Sequence, residues 1–268
     1  MYQQPSYGGQ ARPDENCLRD KISVCMATFN GARFVRQQLL SILEQSIPVD
    51  EIVVVDDGST DRTCEYIRSL ADPRIHLIEQ ETNKGVLLAF EEAIRHSSGN
   101  VLFLSDQDDI WEQTKVQTVM QVFRENPDVK VVVTDASFID EDGLQLPNSY
   151  FGKIGKFTDG FVANVLRCKY LGCAMAFRSS LLSEILPFPA GHGILHDIWI
   201  GTKNKLAGGR TCFIDQKLVR YRRHSSNVTG NAKLSRFRQL QNRLDLLFAL
   251  AIFRFRTGSI RKPISSRQ

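Results

Sequence analysis

Pairing motifs for cysteine are missing from this chain. Its six cysteines fall at 17, 25, 64, 168, 173 and 212, and no two are spaced C-x-x-C. That removes the main support for a zinc ribbon or a thioredoxin-type redox site. Cys25 lies in an apolar run and reads as a small buried hydrophobe, so a reducing compartment fits better than a disulfide scaffold. Long hydrophobic runs are absent too. The longest, Leu246 to Phe253, has eight residues, whereas a bilayer span needs about 20. The N-terminal residues are polar and hold no apolar signal core, which argues against secretion by that route. Neither G-x-G-x-x-G nor G-x-x-x-x-G-K-[ST] occurs, which counts against a dinucleotide dehydrogenase and a P-loop ATPase.

What is present is a lopsided charge. Of 34 Lys and Arg, 16 lie in residues 203–268; of 30 Asp and Glu, only 2 do. An acidic body with a basic C-terminal quarter points to an anionic partner for the tail, either phosphate or a lipid surface. A length of 268 residues suits one large domain, or one domain with an appendage.

Residues 1–20 are rich in Gln, Pro, Gly and charge, and are expected to form a mobile leader. Strands are expected at Ile22–Ala27, Glu51–Val55, Ile75–Glu79 and Val101–Leu104. Between them, helices are expected over Phe34–Leu43, from a Ser59 or Thr60 cap to Leu70, and over Val86–Arg95. Strands alternating with helices indicate an α/β fold with a mostly parallel, Rossmann-like sheet. Further on, the expectations are a strand at Val129–Val133, a turn at Asp140–Gly143 and a loop over 147–160. A strand at Leu171–Phe177, a short helix at Ser179–Leu186 and a helix from His196-Asp197 to Leu206 follow. Two late strands, Cys212–Asp215 and Lys217–Tyr221, precede a helix over Ser235–Arg256. That last helix aligns Phe237, Leu240, Leu244, Leu247, Phe248 and Ala251 on one side.

Two acidic clusters, Asp56-Asp57-Gly58-Ser59 and Asp106-Gln107-Asp108-Asp109, each follow a strand. Open α/β sheets bind ligands at the strands' C-terminal edge, so the clusters are expected to meet in space. Carboxylates spaced D-x-D suit a hard cation such as Mg²⁺ or Mn²⁺ that also takes phosphate oxygens. A solvated turn is the plainer reading of either cluster. An aspartyl-phosphate phosphatase would want its D-x-D after the first strand, where this chain has none.

Three stretches in order carry a resemblance: Ile22-Ser23-Val24-Cys25-Met26-Ala27-Thr28-Phe29-Asn30-Gly31, Ile52-Val53-Val54-Val55-Asp56-Asp57-Gly58-Ser59-Thr60-Asp61 and Leu104-Ser105-Asp106-Gln107-Asp108-Asp109-Ile110-Trp111. Together with Tyr170–Phe177, His196-Asp197 and Tyr221-Arg222-Arg223-His224, they resemble glycosyltransferase family 2 over roughly residues 21–230. The Ser-Asp-Gln-Asp-Asp-Ile-Trp form and the His-Asp pair are most similar to its bacterial rhamnosyltransferase-like branch. Ala27 departs from the family's usual Pro, without removing a functional group. The resemblance implies a GT-A fold over 21–234, with residues 235–268 as a basic helical extension. It also implies inverting transfer from a nucleotide-diphosphate sugar, such as dTDP-rhamnose or a UDP-sugar, with Mn²⁺ or Mg²⁺. The acceptor would be a hydroxyl of a growing glycan or lipid-linked sugar in surface polysaccharide synthesis, on the cytoplasmic side of the inner membrane.

Residue by residue, the resemblance implies that Thr28, Asp56, Asp57 and Lys84 meet the nucleotide. It implies Asp106 at the ribose, Asp108 and His224 at the metal or diphosphate, Gly172 near the donor sugar and Asp197 as the base. The chemistry needs such a set, because the attacking hydroxyl loses a proton while the departing diphosphate gains charge. Asp197 could equally cap the helix it opens, and Trp111 could stack on a sugar or pack in the core. Arg220, Arg222 and Arg223 would raise the positive potential near the diphosphate. The last helix could contact an anionic membrane, or pack on the body or on a second subunit in a homo-oligomer; nucleic acid is not expected. Two other classes stay open: a nucleotidyltransferase, which would want a basic Gly-rich loop that Thr28–Phe34 lacks, and a non-catalytic nucleotide-sugar-binding assembly subunit.

Overall fold

The computed structural model describes residues 20–155, 170–189, 194–224 and 236–260. The expected leader, Cys17 and Cys168 thus lie outside the described residues, apart from Asp20. The first half alternates strictly: β1 (Ile22–Thr28), α1 (Val35–Leu43), β2 (Glu51–Asp56), α2 (Thr63–Ser69), β3 (Ile75–Glu79), α3 (Val86–His96) and β4 (Val101–Ser105). The short β5 (Ile110–Trp111), α4 (Lys115–Glu125), β6 (Val129–Ile139), β7 (Gln145–Ser149) and α5 (Tyr150–Ile154) follow. After them come β8 (Met175–Arg178), α6 (Leu182–Ile185), α7 (His196–Leu206), β9 (Arg210–Arg222) and α8 (Arg236–Ile260).

One sheet holds all nine strands, in the order β3-β2-β1-β4-β8-β6-β9-β5, with β7 beside β6. The expected parallel character holds for β3, β2, β1 and β4. Beyond β4 the sheet is mixed: β8 enters antiparallel to both β4 and β6, while β6 and β9 are parallel. β1, β2 and β4 are covered on both faces, which is why their sequences are nearly continuous apolar runs. The helices cover them with stripes at helical spacing: Val35, Leu39 and Ile42 on α1, Ala89, Phe90, Ala93 and Ile94 on α3, Val116, Val119, Met120 and Phe123 on α4. Each large side chain buried there contributes about 1.5–3 kcal/mol.

Several local expectations are corrected. Neither Ser59 nor Thr60 caps α2, which starts only at Thr63; the Thr63 N–H is met by Asp61 at 3.0 Å, and Ser59 serves the neighbouring loops instead. The span 147–160 is not all loop: its first part completes β7 and α5, whose Phe151 docks in the core. Leu171–Phe177 opens with a 3₁₀ turn over Gly172–Ala174, so only its end is strand. Ser179–Leu186 holds a 3₁₀ turn and then α6. The two late strands are one, β9, with an irregularity between Ile214 and Lys217 in its pairing with β6. On α8 the side turned to the body carries Leu246, Ala249 and Phe253, whereas Leu244, Leu247 and Phe248 of the expected face point outward. Trp111 is a core residue, 5.7 Å from the Phe103 ring.

Candidate active site

A cavity of about 860 Å³ opens along the C-terminal ends of β1, β2 and β4. Its walls include Thr28, Asp57, Asp106, Asp108, Gly172, Asp197 and His224, so seven of the nine sequence-derived site residues share one space. Asp56 and Lys84 are not among the lining residues.

Asp56 is an organiser behind the wall. Its carboxylate accepts from the Thr28 hydroxyl (2.7 Å), the Ser59 N–H (2.8 Å) and the Ser59 hydroxyl (2.7 Å). Asp57 is held from two sides. Its own N–H donates to the Thr28 carbonyl, and its two carboxylate oxygens accept the N–H groups of Lys84 (2.7 Å) and Gly85 (2.8 Å). Lys84 therefore serves here through its backbone. The turn between the two aspartates and Ser59 needs Gly58, whose φ of +80° is left-handed.

The two acidic turns are joined through the loop after β1: the Asn30 N–H donates to the Ser59 hydroxyl (2.8 Å), and Gln107 of the second turn grips Phe29. The Gln107 Oε1 accepts the Phe29 N–H (2.9 Å) and its Nε2 donates to the Phe29 carbonyl (3.0 Å), as a neighbouring strand would. Gly31 leaves room for it, since a Cβ there would sit 2.1 Å from Oε1. The sequence gives no sign of this role: Gln107 is merely the spacer of the D-x-D.

Arg222 is the other residue whose role the sequence hides. It is 2% exposed, and its guanidinium donates to the carbonyls of Asp108 (2.7 Å), Asp140 (3.2 Å) and Glu141 (2.9 Å) and to Gln37 Oε1 (2.8 Å). Its N–H is bound by Asp109 at 3.0 Å. It thus braces the Asp106–Asp109 turn from behind, and its charge acts on Asp109 and Asp108. Arg220 is likewise engaged, with Glu112 at 2.6 Å.

Asp108 Oδ2 and His224 Nε2 lie 2.6 Å apart on the cavity wall. A carboxylate and an imidazole converging beside open space suit a divalent cation that keeps its other positions for phosphate and water, so these residues fit Mn²⁺ or Mg²⁺. A second group, Asp106, Asp109 and Cys173, also brings ligand atoms within 4.8 Å of one another. Two features make this group a poor ion cage. Burial pushes the Cys173 thiol well above its usual range, so it stays protonated. The buried Lys115 amine also lies beside the group, with its Nζ 2.8 Å from the Cys173 carbonyl and 3.6 Å from the Trp111 ring centre, and burial lowers it to about 7. Burial, then the Asp108 charge, raises Asp109 to about 7, and burial with the charges of Asp109, Asp108 and Asp197 pushes Asp106 well up.

Asp197 stands at the other end of the cavity, in the first turn of α7. Burial raises its carboxyl to about 6, although the N–H groups of Ile198 and Gly172 pull the other way. Next to it, His196 is held neutral by burial, pushed down to about 3; neither ring nitrogen has a hydrogen-bond partner among the described residues. Its ring lies 4.0 Å from Phe90 and packs directly on Gly172. A buried carboxylate near neutrality, facing a cation site across one cavity, can take a proton from one group while a second group departs as an anion.

Solved structures of similar fold include S. aureus TarS residues 1–349 in complex with UDP-GlcNAc, at TM-score 0.64 and 20% identity over 91% of this chain and 76% of that one. The mannosyltransferase PcManGT from Pyrobaculum calidifontis, in complex with GDP-Man and Mn²⁺, gives TM-score 0.59 at 20% identity over 92% of this chain and 77% of that one. The fold is thus the GT-A fold expected from the sequence. Among relatives, an Escherichia coli UDP-Glc:alpha-D-GlcNAc-diphosphoundecaprenol beta-1,3-glucosyltransferase is 25% identical over 228 residues, 84% of this chain and 85% of that protein. The chain covers only 53% and 50% of an uncharacterized glycosyltransferase from Nostoc sp. and of a Bacillus subtilis teichuronic acid biosynthesis glycosyltransferase. The sequence profile of one family matches residues 23–186, which takes in both acidic turns and Gly172 and stops short of Asp197 and His224. The chain belongs to glycosyl transferase family 2.

Proposed function

We propose that this glycosyltransferase performs an inverting transfer with Asp197 as its base. The donor's nucleotide would lie at the Asp57 end of the cavity and its sugar between Asp106 and Gly172. The observation that carries this reading is Asp197 itself: a carboxyl raised to about 6, in the same cavity as Asp57, Asp106 and Asp108. Each Asp57 oxygen keeps accepting capacity for a base N–H beyond its one backbone bond. Phe29, 43% exposed on the cavity rim, offers an apolar face to the same base. Thr28 and Asp106 close the ribose side.

In the reaction the acceptor oxygen bonds to the anomeric carbon and passes its proton to Asp197. The bond from that carbon to the phosphate oxygen breaks, and its electron pair leaves on the nucleoside diphosphate. A divalent cation held by Asp108 and His224 would supply charge neutralisation for that leaving group. Arg222 keeps the Asp108 backbone in place, and Gly172 with Asp197 fixes the base. The acceptor is a hydroxyl of a growing glycan, free or lipid-linked, in surface polysaccharide synthesis; the E. coli and Bacillus relatives support this class. The donor is a UDP-sugar or dTDP-rhamnose.

Thermal shifts with UDP, dTDP and GDP, each with Mn²⁺, test the donor side, since a ligand specific to the folded state stabilises it. NMR of the glycoside formed tests the stereochemistry. Retention of configuration, or full turnover by Asp197→Asn, would sink the proposal.

A further inference from the structure

Of the seven large hydrophobic side chains exposed among the described residues, four lie on α8: Leu244 (57%), Leu247 (45%), Phe248 (59%) and Ile252 (37%). Their spacing makes one stripe along the helix. The opposite side is already used: Leu246, Ala249 and Phe253 are buried, with the Phe253 ring 5.4 Å from Trp199 and 3.9 Å from Lys203 Nζ on α7. The helix is therefore apolar on two sides, and among the described residues only one of them packs on α7. Isolated exposed hydrophobics are ordinary; a continuous stripe marks a surface that meets something.

The charge that flanks the stripe in the sequence selects its occupant. Residues 231–243 hold four basic and no acidic residues, and residues 254–268 hold five basic and none acidic. Asp245 is the single acidic residue of α8. A second copy of the chain would bring two such basic segments together, which like charge opposes. A nucleic acid would match the charge and leave the stripe uncovered. An anionic bilayer satisfies both, taking apolar side chains below its headgroups and basic ones among them. We infer that the outward side of α8 docks the chain on a lipid surface with anionic headgroups. Docking there sets α7, which carries Asp197, one helix from the lipid, suiting an acceptor that arrives on a membrane anchor.

Donor binding and lipid docking use different residues, so either can fail alone. The test is flotation of the full chain with phosphatidylcholine vesicles, with and without phosphatidylglycerol, at low and high salt. We expect flotation with the anionic vesicles only, and release by salt. Replacing Leu244, Leu247 and Ile252 together by Gln lowers the bound fraction about tenfold or more, while the thermal shift with UDP and Mn²⁺ is unchanged. Equal flotation with both vesicle types, no flotation, or undiminished flotation of the triple variant overturns the inference. So does a dimer of the full chain, seen by light scattering, that the triple variant dissolves. Should that variant precipitate, the lipid and salt arms on the unaltered chain still decide.

Discussion

Gly172→Ala adds one methyl at the point where the sugar end of the cavity is tightest. The new Cβ would stand 2.3 Å from His196 Nε2, 3.1 Å from Cε1 and 3.3 Å from Cδ2. The ring cannot retreat freely, because the Phe90 ring packs on it, tilted by 35° with centroids 4.0 Å apart. The strain is therefore relieved by moving the turn, the start of α7, or both. Overpacking of this kind costs about 1–3 kcal/mol. Gly172 also gives its N–H to Asp197, so the same shift displaces the base. A displacement near 1 Å is worth about 10²-fold in rate. The nucleotide end is built from β1, β2 and the Lys84–Gly85 amides, none of which touches this point. Turnover should thus fall about 10²-fold with the Kd for UDP nearly unchanged. Adding His196→Ala to Gly172→Ala removes the obstructing ring, and the double variant should recover part of the loss, a coupling that a double-mutant cycle measures. Undiminished turnover in Gly172→Ala would refute this packing account. So would a loss confined to UDP affinity, or two single effects that merely add.

Four further outcomes are expected. Arg222→Lys replaces a fork serving three carbonyls and Gln37 with a single ammonium; a loss of about 3 kcal/mol, or roughly 6–12 °C in melting temperature, follows for a chain of this size. Gln107→Ala unties the Phe29 backbone from the second acidic turn, and titration calorimetry should show UDP with Mn²⁺ binding about tenfold more weakly for about 1.4 kcal/mol of lost preorganisation. Chelation with EDTA should abolish most of the UDP-induced thermal shift, and Asp108→Asn should do the same in excess Mn²⁺; an undiminished shift in either case would remove the cation from the account. For Asp197, kcat/KM should fall as pH drops through about 6, because protonation disables the base. The stability effect runs the other way. The folded carboxyl, raised from 3.8 to about 6, holds a proton that the unfolded chain has lost, so this group's contribution falls as pH rises from about 4 to 6. Asp197→Asn should then melt higher at pH 7, by up to about 3 kcal/mol, while losing about 10²–10⁴ in rate.

The parts of this molecule that were legible in its sequence are those set by repeating local patterns. β1, β2 and β4 declare themselves as short buried runs, and α1, α3 and α4 as stripes at helical spacing. Alternation of the two places Asp57 and Asp106 at one sheet edge, although fifty residues separate them. Contacts without a period stay hidden. Gln107 imitates a strand with two side-chain bonds, and Arg222 reads as a surface cation although carbonyls enclose it. Leu171–Phe177 is a short apolar run, a pattern shared by strands and buried turns; pairing with β4 and β6 begins only at Met175. The direction of α8 was hidden for a related reason. Its apolar residues go nearly all the way round, so only the position of Trp199 and Lys203 decides which side is covered.

Hydrogen-bond satisfaction divides the cavity into two unlike ends. At the nucleotide end every oxygen of Asp56 and Asp57 has a partner, most of them backbone N–H groups or hydroxyls that cannot leave without unfolding the loop. Among the described residues, eight buried side-chain polar atoms lack a partner, and four of them belong to α7: both nitrogens of His196, Thr202 Oγ1 and Asn204 Oδ1. Each costs about 1–3 kcal/mol, so α7 is held in place by packing against that cost. Its Trp199 sits wholly in the core and donates to the Ile185 carbonyl at 2.7 Å, and Phe253 of α8 closes over it. Asp197 itself is not short of partners: the N–H groups of Ile198 and Gly172 hold its carboxyl, and burial alone raises it to about 6. The position of that carboxyl therefore depends on how α7 is packed, and α8 matters to the reaction because it supplies part of the packing that keeps Asp197 in place.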